Sequence, residues 1–120
     1  KKRDQEQGRS LVLKSNIGVH KIPLNQLMYV EAQGRKVLYY LANGEEIVCT
    51  DRFSPVCDQL IQYPEFILAH RSFLVNMNYI RTIDHAKNAV CGEKIGCLEI
   101  GRNYKRDVLE KYFAYSRSTL

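Results

Sequence analysis

The stretch FILAHRSFLVNMNYI, Phe66 to Ile80, decides the fold. Two apolar runs, Phe66 to Ala69 and Phe73 to Val75, flank a polar break of His70, Arg71 and Ser72, and Asn76 follows them. Each run is of strand length and rich in aromatic and branched side chains, and too short for an ordinary helix. The break between them reads as a tight junction of two half-buried strands, with its polar side chains pushed to the outside edge of a sheet. For turning alone, Ser72 and Asn76 suffice, since both can cap backbone groups. A junction that faces a ligand would also use the imidazole and the guanidinium.

The period of two extends to both sides of this stretch. SLVLKS (Ser10 to Ser15) and VHKIP (Val19 to Pro23) flank NIG and are expected to form a hairpin that Pro23 closes. LMYVEAQ (Leu27 to Gln33) and VLYYL (Val37 to Leu41) make the next one, with a turn GRK that carries two cations. ANG before EEIVCT is the Asn-Gly signature of a type I′ connection. The period changes in TDRFSPVCDQLIQYP. There Phe53, Val56, Leu60 and Ile61 fall at helical spacings, Ser54 is placed to cap with Pro55 at the first helical position, and Pro64 lies beyond the end. Strand-sized runs return at 80–85, 89–91 and 97–100, and GRNYKRDVLEKYFAYSR ends the chain on a helix with an apolar stripe of Val108, Leu109, Tyr112 and Phe113. The expected fold is mainly β, an elongated array of short antiparallel strands with one short internal helix and a C-terminal helix.

A chain of 120 residues is one domain's worth. Residues 1–9, almost all charged or amide, read as a linker from an upstream domain, and residues 10–120 as the domain itself. Hydrophobic residues at 45% and charged ones at 26% exclude a disordered or collagen-like chain. The formal charge of +5 favours an anionic partner, though the sign alone names none. No uncharged stretch approaches the roughly 20 apolar residues of a membrane span, and the N-terminus lacks the apolar core of a signal peptide, so a cytoplasmic location is expected. Cys49, Cys57, Cys91 and Cys97 show no CxxC pairing and are expected to be reduced structural thiols, joined in neither a disulfide nor a zinc site. His20, His70 and His85 are the only histidines, and no GxSxG, HExxH or Gly-rich phosphate loop is present. Ser72 with His70 would need an acid partner that the sequence does not place, so no catalysis, metal or cofactor is expected.

Three short basic breaks interrupt the strand-rich chain: Gly34 to Lys36, the HRS junction, and Gly101 to Arg106. Turns of this composition suit a polyanion, because cations neutralise phosphates while Arg, Asn and His can read base edges. The planar fork of Arg matches the two acceptors of guanine, whereas Lys36 or Lys105 acts as a point charge on phosphate. Cations at the start of the last helix oppose its dipole, which argues for a purpose other than stability. Two further readings fit a small basic β-fold. One is a single-stranded nucleic-acid binder of OB-like type, with Tyr39, Tyr40 and Tyr104 as stacking platforms, and the other is a protein-interaction module that uses a β-edge.

The segments IPLNQLMYVEAQGRKVLYYLANGEEI, FILAHRSFLVNMNYIRTID and IGRNYKRDVLEKY together resemble the LytTR-type DNA-binding domain, found mostly at the C-terminus of bacterial response regulators. The second is close to the family pattern F-x-x-x-H-R-S-[FY]-x-V-N-x-x-x-I, and the likeness runs from about Ser10 to Arg106. It implies a sequence-specific output domain that inserts loops, not a recognition helix, into successive major grooves of promoter DNA. Two copies often sit on direct repeats as a possible homodimer, with a receiver or sensor domain upstream. By position, the family's DNA-contacting loops fall on Arg35 and Lys36, on His70 and Arg71, and on Arg102, Asn103, Lys105 and Arg106. Arg102 is expected to contact a base, and Arg71 and Lys105 phosphate, with His70, Asn103 and Arg35 as secondary contacts. Because the loop before Val37 is shorter than in members that place a base-reading residue there, Arg102 is the firmer carry-over. Tyr29, Glu31, Phe66 and Phe73 are assigned to the core or scaffold.

Overall fold

The computed structural model describes residues 9–118, so most of the expected linker lies outside the described residues. Ten strands form three antiparallel sheets. The hairpin β1 (Ser10–Ser15) and β2 (Gly18–Pro23) stands alone. The central sheet takes β3 (Leu27–Gln33), β4 (Lys36–Leu41), β5 (Glu46–Thr50), β6 (Phe66–His70) and β7 (Phe73–Asn76) in the order β5-β4-β3-β7-β6. A small sheet, β10-β9-β8, is made of β8 (Thr82–Asp84), β9 (Ala89–Gly92) and β10 (Gly96–Glu99). Helix α1 (Phe53–Leu60) joins β5 to β6, and α2 (Lys105–Ser118) follows β10 after a 3-10 turn at Arg102–Tyr104.

The central sheet is covered on both faces except at its β5 edge, where alternate residues are exposed. Leu11, Leu13 and Ile22 of the first hairpin and Val56, Cys57 and Leu60 of α1 pack with Val30, Val37, Tyr39, Phe66 and Leu74 on one side. Val90, Leu98, Ile100 and Val108 pack with Ile67, Ala69 and Val75 on the other. This corrects the reading of Phe66 to Asn76 as two half-buried strands: Phe66, Ile67, Ala69, Leu74, Val75 and Asn76 are all buried. Strands covered on both faces carry unbroken apolar runs, which is why FILA and FLV do not alternate. Asn76 is polar and fully buried because its amide is used on both sides. Its Nδ2 donates to the Leu27 carbonyl at 3.0 Å, and its Oδ1 accepts from the Asn78 backbone N–H at 3.0 Å.

Local expectations fail at four points. The Asn43-Gly44 connection is not type I′, which needs a positive φ at both central residues: Gly44 has φ +94°, but Asn43 is not among the positive-φ residues. Helix α1 starts one residue before Ser54, with Arg52 in the cap position and no side-chain cap, so Pro55 is third in the first turn, where its missing N–H still costs nothing. On α2, Val108 is buried but Phe113 is 63% exposed, and the Arg117 guanidinium lies over its ring, 5.4 Å from the centroid. The expectation of four reduced cysteines holds only for Cys49 and Cys57, which are free and buried. Cys91 and Cys97 form a disulfide, because the β9–β10 register sets them directly opposite each other.

The chain is clamped where β1 begins. The Arg9 guanidinium pairs with both oxygens of Glu65, which is 4% exposed, and lies 5.1 Å from the Tyr63 ring centroid. The Arg9 carbonyl accepts from Leu24 N–H and the Glu65 carbonyl from Met77 N–H.

Candidate nucleic-acid interface

Antiparallel register carries two of the three basic breaks to one end of the central sheet. Glu31 pairs with Phe73, so the turn after β3 and the turn before β7 project from the same end. The first is a two-residue turn between Gln33 and Lys36, with Gly34 at φ +61° and Arg35 at its tip. Glycine at the first central position is what a type II′ hairpin turn asks for. The second is His70 to Ser72, tied to β3 by a bond from Ala32 N–H to the Ser72 carbonyl at 2.9 Å. The third break docks beside it: Gly101 N–H donates to the Ala69 carbonyl at 2.8 Å. A Cβ on Gly101 would stand 2.7 Å from the Tyr104 ring and 3.4 Å from the His70 Cα, so the absence of a side chain is what lets the two segments meet.

His70 is half-buried against Phe73, with ring centroids 5.3 Å apart. Its Nδ1 accepts the Ser72 backbone N–H at 3.0 Å, so the neutral ring carries its proton on Nε2 and offers a donor away from the turn. The Ser72 contact runs through its backbone N–H and not its hydroxyl. Arg35, Lys36, Arg71, Arg102, Asn103 and Arg106 are exposed, while Lys105 is half-buried on the first turn of α2. Among the described residues none of these cations is ion-paired with a carboxylate. Arg35, Lys36, His70, Arg71 and Arg102 are thus brought to one end, and Lys105 and Arg106 lie one step along, where the helix begins.

Sequence reasoning missed Arg52. Lys36 pairs with Thr50, and Asp51 N–H donates to the Arg35 carbonyl at 3.2 Å, so exposed Arg52 joins the same end. Within the sequence it sits in a stretch that reads as a helix start, and only the β4–β5 register reveals its neighbours.

The tyrosines do not form a stacking platform for single strands. Tyr39 is 2% exposed, and burial pushes its hydroxyl well above the usual range. Tyr40 stacks on Tyr29 with centroids 4.4 Å apart and donates to Glu31 at 2.9 Å; burial and then that bond hold its proton in place. Tyr104 packs into the second core. Tyr29, Glu31, Phe66 and Phe73 are structural, as expected from the sequence.

Fold and site together define a β-domain whose short turns present cations that no carboxylate pairs among the described residues, the class of protein that meets a polyanion. The model of the LytTr DNA-binding domain matches residues 18–112, and the chain belongs to that family, which is one of DNA-binding domains and not a catalytic one. Among solved structures, it is similar to a LytTr DNA-binding domain from a Bacillus cereus protein described as a methyl-accepting/DNA response regulator. Identity is 26% and the TM-score 0.64, over 87% of this chain and 95% of that one. No curated protein matches. No helix among the described residues is long and apolar enough to cross a membrane.

Proposed function

We propose that this domain is the output domain of a transcriptional regulator and reads a specific duplex sequence through its three basic turns. The observation that carries this reading is the convergence of Arg35, Arg71 and Arg102 at one end of the central sheet, none of them ion-paired among the described residues. The turns stand in a row: β3–β4, then β6–β7 roughly 10 Å away across two strand spacings, then the Arg102 segment beyond. That order favours base contacts at the outer turns, in major grooves, with Arg71 in the middle over the intervening backbone. Arg102 is the main base reader and Asn103, His70 and Arg35 are secondary ones; Lys105, Lys36 and Arg106 add to the phosphate contacts. Two copies on direct repeats of a promoter, a receiver or sensor domain upstream and a cytoplasmic location complete the proposal.

The test is selection of bound duplexes from a random pool, followed by competition with the same sequences as single strands. A recurring duplex motif that single strands fail to displace is the expected result. Enrichment of no motif, or better competition by single strands, would overturn the reading.

A further inference from the structure

We propose that the Cys91–Cys97 bridge is a reversible thiol–disulfide site for small dithiols, and that its redox state sets how firmly the Arg102 segment is held. Strand β10 is an edge strand with β9 as its single neighbour, and it leads directly into Ile100, Gly101 and Arg102. β9 is pinned from the other side. It pairs with β8, Arg81 N–H donates to the Cys91 carbonyl, and the Tyr79 carbonyl lies 1.9 Å from where a Gly92 Cβ would be. The disulfide therefore ties an edge strand to one that β8 pairs on its other side. Beyond it, β10 is held by its ladder with β9, by the reciprocal bonds between Asn88 and Ile100, and by Gly101 on Ala69.

The bridge is open to attack. Cys91 and Cys97 share the outer face of the small sheet with Thr82 and Glu99, and Cys97 is exposed while Cys91 is half-buried. A thiolate of the dithiol attacks the Cys97 Sγ, forming a mixed disulfide and releasing Cys91 as a thiolate that takes a proton from water. The second thiol of the reagent then closes on its own sulfur and releases Cys97. Two electrons and two protons pass to the protein, and the dithiol leaves as a cyclic disulfide. Cys49 and Cys57 take no part, being buried in the other core, where burial pushes the Cys57 thiol up to about 12.

Once the bridge opens, β10 has more freedom to lose when Arg102 binds, so affinity falls. That last step rests on the proposed function, and the experiment separates the two. The chain is equilibrated with dithiothreitol or with its oxidised form, then alkylated under native conditions, followed by hydrogen exchange and by titration of a duplex recovered from the random pool. Reduction is expected to expose two alkylatable thiols, Cys91 and Cys97, to speed exchange at Ile100 to Tyr104, and to weaken duplex binding by about threefold to tenfold. Cys97→Ser should bind like the reduced protein and ignore the reagent. A bridge that resists dithiothreitol, or unchanged exchange after reduction, would overturn the proposal, as would equal affinity of the two states for a duplex that binds. If no duplex binds in either state, the proposed function fails, and the alkylation and exchange results still decide the redox site.

Discussion

Asn76 is one of the buried polar residues of the core, and both ends of its side-chain amide are hydrogen-bonded. The sequence identifies it as a capping residue, but not as a fully buried amide that bridges the Leu27 carbonyl and the Asn78 N–H across the central sheet. Such a bridge depends on a contact between residues far apart in the chain, which local spacing cannot reveal. Asn76→Ala strands the Leu27 carbonyl in the core and uncaps the Asn78 N–H, and is expected to cost about 1–3 kcal/mol, read from the urea midpoint. His70 and Arg71 are legible because their neighbours are strands, and Arg52 is not because its neighbours in space come from another hairpin. Arg52→Ala should leave stability within about 0.5 kcal/mol of the parent, since the side chain is exposed. If Arg52 shares the interface, the same change lowers affinity alike for all duplexes, as loss of a phosphate contact does.

At the scale of elements, the succession of strands and both helices along the chain follows from period and turn residues, while strand order within the sheets and register do not. The β9–β10 register decides the disulfide: CGEKIGC gives no CxxC spacing, and only the completed hairpin sets Cys97 opposite Cys91. The same hairpin explains Gly92, whose Cβ would fall 1.9 Å from the Tyr79 carbonyl oxygen. Backbone cannot yield there as a flexible side chain could. Gly92→Ala is therefore expected to cost about 1–3 kcal/mol, as overpacking does, whereas Gly18→Ala meets no atom within 4 Å and is limited by its φ of +155°. Thermal unfolding of the two variants side by side checks the contrast. At the other end of the chain, removing Arg9 leaves Glu65 buried without its partner. Arg9→Ala should thus destabilise the domain more than the double change Arg9→Ala with Glu65→Gln, since an unpaired buried charge costs more than a neutral one.

For the whole molecule, the central sheet sandwiched between two cores supplies a rigid base from which the turns project. Its buried groups also set an alkaline limit. Burial raises Tyr39, Tyr40 and the Cys57 thiol above their ordinary values, so the unfolded chain loses these protons first as pH rises. The stability they contribute is complete below the unfolded values, near 9 for the thiol and 10 for the tyrosines, and declines above them. The urea midpoint is expected to fall from about pH 9 upward, and Cys57→Ala should remove the thiol's share of that fall. The most direct measurement of the interface is a titration of the parent, Arg71→Ala and Arg102→Ala against the selected duplex, its single-base variants and a random duplex, over a series of salt concentrations. Log affinity should fall with log salt by about 0.9 for each phosphate neutralised. Arg71→Ala should weaken all duplexes alike and reduce the slope by about one, while Arg102→Ala costs about 1–3 kcal/mol and relaxes preference at one base position. A flat salt response, equal loss of specificity in both variants, or none in Arg102→Ala would contradict the assignment of these turns.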